Sequence, residues 1–317
     1  MNKTILGRTN YEVTQLGYGA LEVRGTVGVE DEGKGRMPNE EHADHILNTV
    51  LDSGINFIDT AWCYGRSEEM MGRYIAKRRN DYVLAVKAGH GRCSATKYAS
   101  YTKKDMMDCL EESLRNLRTD YADIVQLHNP TAEDVEENDC IETLKEMKAR
   151  GLTRFIGVSS VIPHLEKHLA TGAYDVFQIP YSALEPEHHD IISTIAQAGG
   201  GTIIRGGVAK GEPESAAVLQ ARQANWKHSL GGSSGVKRWD MFEASNLDEL
   251  REEDESRTAF LLRFTLSHPD VHTIIVGTQN PNHLEENVAV AKKGPLAPNV
   301  YVEAKKRLKS IGLVHGN

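Results

Sequence analysis

Asp59, Tyr64, Lys87 and His128 are residue types from which acid–base chemistry is assembled, and each falls at or just beyond the end of an apolar run. Asp59 closes INFID, Lys87 closes VLAVK and His128 closes IVQLH, while Tyr64 follows Asp59 by five residues and stands beside Gly65. A Lys next to a Tyr in a desolvated pocket favours the phenolate and is expected to lower the phenol from about 10 toward neutrality. An Asp beside that Lys keeps it charged. A Tyr tuned in this way can protonate a carbonyl oxygen as hydride reaches the carbon, with a His donating to the same oxygen. The set fits reversible carbonyl reduction without a metal. Taken singly, each residue has a plainer role. Asp59 is then a helix N-cap or ion-pair partner, Tyr64 a rim residue, Lys87 a solvated strand end and His128 a satisfied polar group at the edge of the core. Joint placement at successive strand ends is what favours chemistry.

Those ends need strands to carry them. Short apolar, β-rich runs recur as LGYGAL (16–21), INFID (55–59), YVLAVK (82–87), ADIVQLH (122–128), RFIGVSS (154–160), DVFQIPYS (175–182), GTIIRGG (201–207) and HTIIVGT (272–278), with helix-period segments between them. Segment 103–118 starts after Thr102, has Asp105 in capping-box position and carries Met106, Leu110, Leu114 and Leu117 as an apolar stripe. Segment 139–150 stops at Gly151, and segment 257–267 begins after Ser256. Parallel neighbours need long crossovers, and the eight strand-then-helix units counted here are the number that closes a (β/α)8 TIM barrel. The rival, an open doubly wound sheet binding a dinucleotide, wants GxGxxG after its first strand, where this chain has GYGALEVRG. The expectation is one barrel domain over 1–317, preceded by a β-hairpin in ILGRTNYEVTQL (5–16) with Thr9 and Asn10 in the turn. Two long loops, 24–38 and 206–246, follow strands and so belong to the C-terminal face as lid and specificity segments, the second with a short helix near 214–224.

The segment DTAWCYGRSE (59–68) resembles the Asp-Thr-Ala-x-x-Tyr-Gly-x-Ser-Glu pattern of the aldo-keto reductases. The likeness extends to Lys87, to Leu127 and His128, to an LGRT…V opening (Leu6 to Thr9, then Val13) and to the tail GTQNPNHLEEN (277–287), so it covers nearly the whole chain. It implies Tyr64 as general acid/base, Lys87 as its pKa modulator, Asp59 as the partner of Lys87 and His128 as the substrate-orienting donor. It also implies a nicotinamide dinucleotide, NADP(H) by family habit, lying extended across the rim without a Rossmann domain. Ser159, Ser160 and Gln178 would then bond the nicotinamide amide and Tyr181 would stack on the ring, with Ser160 standing where the family usually has Asn. Gly19 and Ala20, at the end of the first barrel strand, are expected to border the same cofactor. After the seventh strand TIIRGGVAKGEP replaces the usual Ser-Pro-Leu or Lys-Pro-Leu. Gly206 and Gly207 still leave room for the backbone to approach the pyrophosphate, and either Arg205 or Lys210 meets its charge or Arg205 pairs with a neighbouring acid. In the last loop Gly277, Thr278, Gln279 and Asn280 would meet a phosphate or ribose hydroxyl, and Glu286 and Asn287 the adenine and ribose end. No Lys or Arg stands there for a 2′-phosphate, which leaves NAD(H) open.

Composition narrows the partners. A net charge of −8, a pI near 5.9 and the lack of any basic block argue against nucleic acid. The cysteines, at 63, 93, 109 and 140, show neither CxxC spacing nor disulfide-framework density, and Cys63 has no activating base near it in sequence. The adjacent His188 and His189 diverge at a helix start and are not expected to bind metal. MNKTILGRTNYEVTQLG lacks the apolar core of a signal peptide, and no run approaches the ~18 apolar residues of a membrane-spanning helix. The expectation is a cytoplasmic enzyme whose partner is a small carbonyl compound. Two alternatives stay open: a barrel aldolase or lyase using Lys87 as a Schiff-base nucleophile, and a cofactor-binding regulatory subunit like the beta subunits of voltage-gated potassium channels.

Overall fold

The computed structural model describes residues 1–24, 40–89, 100–209, 211–212 and 235–316. Most of loop 24–38, Lys210 and the helix expected near 214–224 therefore lie outside the described residues. Within 206–246 the described helix is Gly235–Ala244.

Strands β1 (Lys3–Ile5) and β2 (Glu12–Thr14) form the antiparallel hairpin, with Gly7–Thr9 in a 3₁₀ turn and Asn10 left-handed at its end. The barrel strands are β3 (Leu16–Gly19), β4 (Phe57–Asp59), β5 (Val83–Ala88), β6 (Ala122–His128), β7 (Thr153–Ser159), β8 (Val176–Pro180), β9 (Gly201–Arg205) and β10 (Thr273–Val276). All pair in parallel, and β10 closes on β3 to complete an eight-stranded barrel. The expected runs map one to one onto these strands, which are shorter at most ends.

Several of the helices between them begin where a side chain satisfies a free backbone N–H group. Thr102 accepts from Asp105 N at the start of Lys103–Leu117, and Ser256 accepts from Ala259 N at the start of Arg257–Leu266. The Asp105 carboxylate does not complete the expected capping box, because Ser100 Oγ occupies it. A full capping box occurs instead at Thr131 and Asp134. No helix among the described residues is long and apolar enough to cross a membrane.

Alternation along each strand sorts the barrel into two environments. Ile58, Leu84, Val86, Val125, Leu127, Ile179 and Ile204 point outward and join the helices in one large core. Phe57, Val83, Ala85, Ile124, Val176 and Ile203 point inward and pack with Leu6 and Val13 of the hairpin, which plugs the end where the strands begin. Two residues further along the same inner face the sequence turns polar: Asp59, Lys87, Gln126, Gln178 and Arg205, with His128 and Ser159 above. Pairing of Lys87 with Gln126, of His128 with Ser159 and of Ser159 with Gln178 closes this polar layer into a ring at the rim where the strands end.

Candidate active site

Tyr64 reaches the ring through a turn rather than a strand. Tyr64 N donates to Ala61 O at 2.9 Å, Gly65 adopts φ +54°, and Ser67 N donates back to Tyr64 O at 3.0 Å before helix Ser67–Tyr74 begins. Ser67 Oγ donates to Ala20 O at 2.7 Å and lies 3.0 Å from Thr60 Oγ1, which ties the turn to both β3 and β4. The strand, acid, phenol and helix order of DTAWCYGRSE is thus a device for hanging a phenol over the barrel mouth.

Asp59 is the hub beneath it. Its Oδ1 accepts from Lys87 Nζ, and both side chains are almost wholly buried. Its Oδ2 accepts from Gln178 Nε2 at 2.8 Å and Gln126 Nε2 at 3.0 Å. Lys87 Nζ also lies over the Tyr64 ring, 5.0 Å from its centroid. Burial works against the ammonium, but Asp59 and Tyr64 together hold the Lys87 pKa above its ordinary value. It is therefore charged at neutral pH. For Tyr64 the expected lowering is outweighed: burial raises the phenol, and the opposing pull of Lys87 does not bring it below its ordinary value. Tyr64 is thus a neutral phenol, an acid with its proton in place. The His128 ring meets the Tyr64 ring edge-on, centroids 5.8 Å apart. Its backbone is fixed by Tyr101, whose hydroxyl donates to His128 O at 2.7 Å.

All four expected chemical residues therefore meet. Two participants escaped the sequence reading. Gln126 shares the inward parity of Ile124 and His128, which was its available signal. Cys63, taken to lack a nearby base, has its Sγ 3.5 Å from His128 Nδ1.

The residues expected to hold a dinucleotide divide by parity. Ser159 and Gln178 are on the inner ring, where Ser159 Oγ donates to Gln178 Oε1 at 3.2 Å. Ser160 has the opposite parity and donates to Pro130 O at 3.1 Å. Tyr181 also has the outward parity of Ile179 and is fully buried in the helix layer. Its hydroxyl lies 3.0 Å from His189 Nδ1 and 3.2 Å from His315 Nδ1, and His268 packs on its ring, so the ring is not at the rim to stack on anything.

Arg205 does face inward, one layer above Ile203. It makes no ion pair among the described residues, and its Nε and Nη2 are enclosed without a hydrogen-bond partner. Burial lowers its pKa, and the nearby Tyr64 and Asp59 only partly oppose that shift. Gly206 is left-handed at φ +73°, and a Cβ there would lie 3.4 Å from Glu185 Oε2. Gly207 is a packing glycine instead, since a Cβ would come within 2.6 Å of Ile274 Cγ2. Gly19 and Gly277 lie face to face: a Cβ on Gly277 would be 2.8 Å from Gly19 O. Ala20 is buried beside them, and Tyr18 Oη donates to Thr278 O at 2.8 Å. Thr278 Oγ1 accepts from Asn280 N at 3.1 Å, Gln279 O contacts His42 Nε2, and Asn280 caps helix Pro281–Lys293. Glu286 is half-buried and Asn287 buried within that helix.

The model of the Aldo/keto reductase family matches residues 21–307 of this chain. The chain belongs to that family. Among its relatives, an oxidoreductase of Bacillus subtilis, YqkF, is 29% identical over 299 residues, covering 92% of this chain and 91% of the relative. The L-galactose dehydrogenase of Arabidopsis thaliana is 24% identical, covering 90% and 86%. Among solved structures, the holo form of an aldo-keto reductase from Bacillus halodurans superposes with a TM-score of 0.78 at 26% identity, covering 97% of this chain and 96% of that one. The Asp59, Tyr64, Lys87 and His128 ring thus belongs to an aldo-keto reductase barrel, within a family of oxidoreductases that act on small carbonyl compounds.

Proposed function

We propose that the protein is an NAD(P)H-dependent carbonyl reductase, with Tyr64 as the proton donor to an aldehyde or ketone oxygen. The observation that carries this reading is Lys87, held charged by Asp59 and with its Nζ 5.0 Å from the Tyr64 ring centroid. As the carbonyl oxygen gains negative charge it takes the Tyr64 proton, and the phenolate left behind is stabilised by the Lys87 ammonium. His128 donates to the same oxygen and sets the orientation of the carbonyl. A reduced nicotinamide, when bound, supplies the hydride to the carbonyl carbon. The enclosed, unpartnered donors of Arg205 fit a ligand that brings acceptor or anionic oxygens to this rim. The N-terminus of helix Pro281–Lys293 is a further place where backbone N–H groups suit phosphate. NADP(H) is the family expectation, but residues 277–287 include no Lys or Arg for a 2′-phosphate, which equally suits NAD(H). The polar loops and the likeness to an L-galactose dehydrogenase favour hydroxylated, sugar-like carbonyls. A Schiff-base role for Lys87 is disfavoured, because the raised pKa leaves little free amine.

The test combines fluorescence titration of NADPH and NADH with turnover of a panel of carbonyl compounds by the wild type and Tyr64→Phe. Saturable cofactor binding that the substitution leaves nearly unchanged, with turnover lower by roughly 10²- to 10⁴-fold, is the expected result. Full turnover by Tyr64→Phe removes the acid assignment, and no binding of either cofactor at millimolar concentration removes the reductase reading.

A further inference from the structure

We infer that Cys63 is a positioning residue for His128: its thiol fixes the imidazole tautomer in which Nε2 carries the proton. The inference rests on the proposed role of His128 as a donor to the carbonyl oxygen, and it specifies how that donor is kept in place.

A neutral imidazole has one N–H, and which nitrogen bears it is set by what the other nitrogen meets. His128 Nδ1 meets Cys63 Sγ at 3.5 Å, within reach of a hydrogen bond to sulfur. Between a thiol and a neutral imidazole the better acceptor is the ring nitrogen, and an ordinary thiol keeps its proton below about pH 8.5. The S–H therefore donates to Nδ1, and the ring proton resides on Nε2. In the opposite tautomer Nδ1–H would point at a weak sulfur acceptor, and Nε2 would present a lone pair to a carbonyl oxygen, which repels it.

The fold supports this pairing twice. Cys63 adjoins Tyr64 inside the turn closed by Tyr64 N on Ala61 O at 2.9 Å, so one turn sets both the acid and the partner of the orienting His. The Tyr101 hydroxyl on the His128 carbonyl, the neighbouring Asn129 N on Ser159 O and the edge-on Tyr64 ring hold the backbone and the face of the imidazole. These contacts settle where the imidazole sits, whereas the Cys63 contact is made at a ring nitrogen.

The experiment compares the wild type, Cys63→Ala and Cys63→Ser in the full chain, labelled with ¹⁵N-histidine. Two-bond ¹H–¹⁵N correlation reads the tautomer, and His128→Gln assigns the signal. The Nε2–H form is expected to predominate in the wild type, to lose that predominance in Cys63→Ala and to return in Cys63→Ser, whose hydroxyl can donate in the same way. In parallel kcat/KM for carbonyl reduction should fall roughly tenfold in Cys63→Ala at unchanged cofactor affinity, the low end of what loss of an orienting partner costs elsewhere, and Cys63→Ser should recover it. An Nδ1–H tautomer in the wild type, or the same tautomer in all three proteins, overturns the inference. A tautomer change without a change in turnover upholds the positioning by Cys63 and refutes instead the role of His128 in the proposed reaction.

Discussion

Removing the Lys87 ammonium separates the structural work of the polar ring from its chemistry. Lys87→Met leaves the Asp59 carboxylate buried without its cation, a change that typically costs about 3–5 kcal/mol. Two amide donors remain on the carboxylate, at 2.8 Å from Gln178 and 3.0 Å from Gln126, and hydrogen bonds to a charged group are each worth ~1.5–3 kcal/mol. The loss should therefore fall at the low end, near 3 kcal/mol, or about 6 °C in Tm at roughly 2 °C per kcal/mol for a chain of this size. The second substitution that reveals the cause is Asp59→Asn. Both glutamine amides bond to Oδ2 while Lys87 bonds to Oδ1, so an asparagine can put its oxygen where Oδ2 is and turn its NH₂ toward the new methionine. The double variant keeps both amide bonds and buries no charge, and should recover about 2 kcal/mol of the loss. Carbonyl reduction should stay at least ~10²-fold down in both proteins, because Tyr64 has lost the cation that receives its phenolate. Thermal unfolding and steady-state reduction at one fixed pH are the assays. A double variant no more stable than Lys87→Met, or one that regains turnover, refutes the division of labour argued here.

Two further substitutions probe the groups around the ring. Burial raises the Glu68 carboxyl to about 7 from 4.5, so between those values the folded state holds a proton the unfolded chain has released, and stability falls as pH rises through that window. Glu68→Gln should match the wild type near pH 5 and exceed it by up to about 3 kcal/mol near pH 8; chemical unfolding at both pH values checks this, and an equal gain at both would sink the burial argument. Arg205→Met removes enclosed donors left without a partner among the described residues, so the Tm of the cofactor-free protein should hold or rise while dinucleotide affinity falls about tenfold or more. A lower Tm with unchanged affinity would make Arg205 a structural residue.

What was legible in the sequence followed from period and position. INFID, VLAVK and IVQLH each end on a polar residue of inward parity, so Asp59, Lys87 and His128 could be placed on one rim without knowing how the strands pair. The same count, carried through the later strands, distinguishes residues that were expected to act together. Starting from Val176, parity sends Gln178 inward and Tyr181 outward; starting from Ile203 it sends Arg205 inward. The resemblance, and not this count, is what puts Tyr181 against the nicotinamide and Gly207 beside the pyrophosphate. The outward side of Tyr181 is then completed by His268 and by His315 from the end of the chain, contacts that no local pattern announces. The Cys63 and His128 pair spans 65 residues and is equally silent in one dimension, since a thiol becomes a tautomer-setting partner only when the turn that lifts Tyr64 also brings it against the end of β6. The inner ring is therefore a product of two kinds of information: strand alternation decides which side chains enter the barrel mouth, and the connecting turns decide which of them touch.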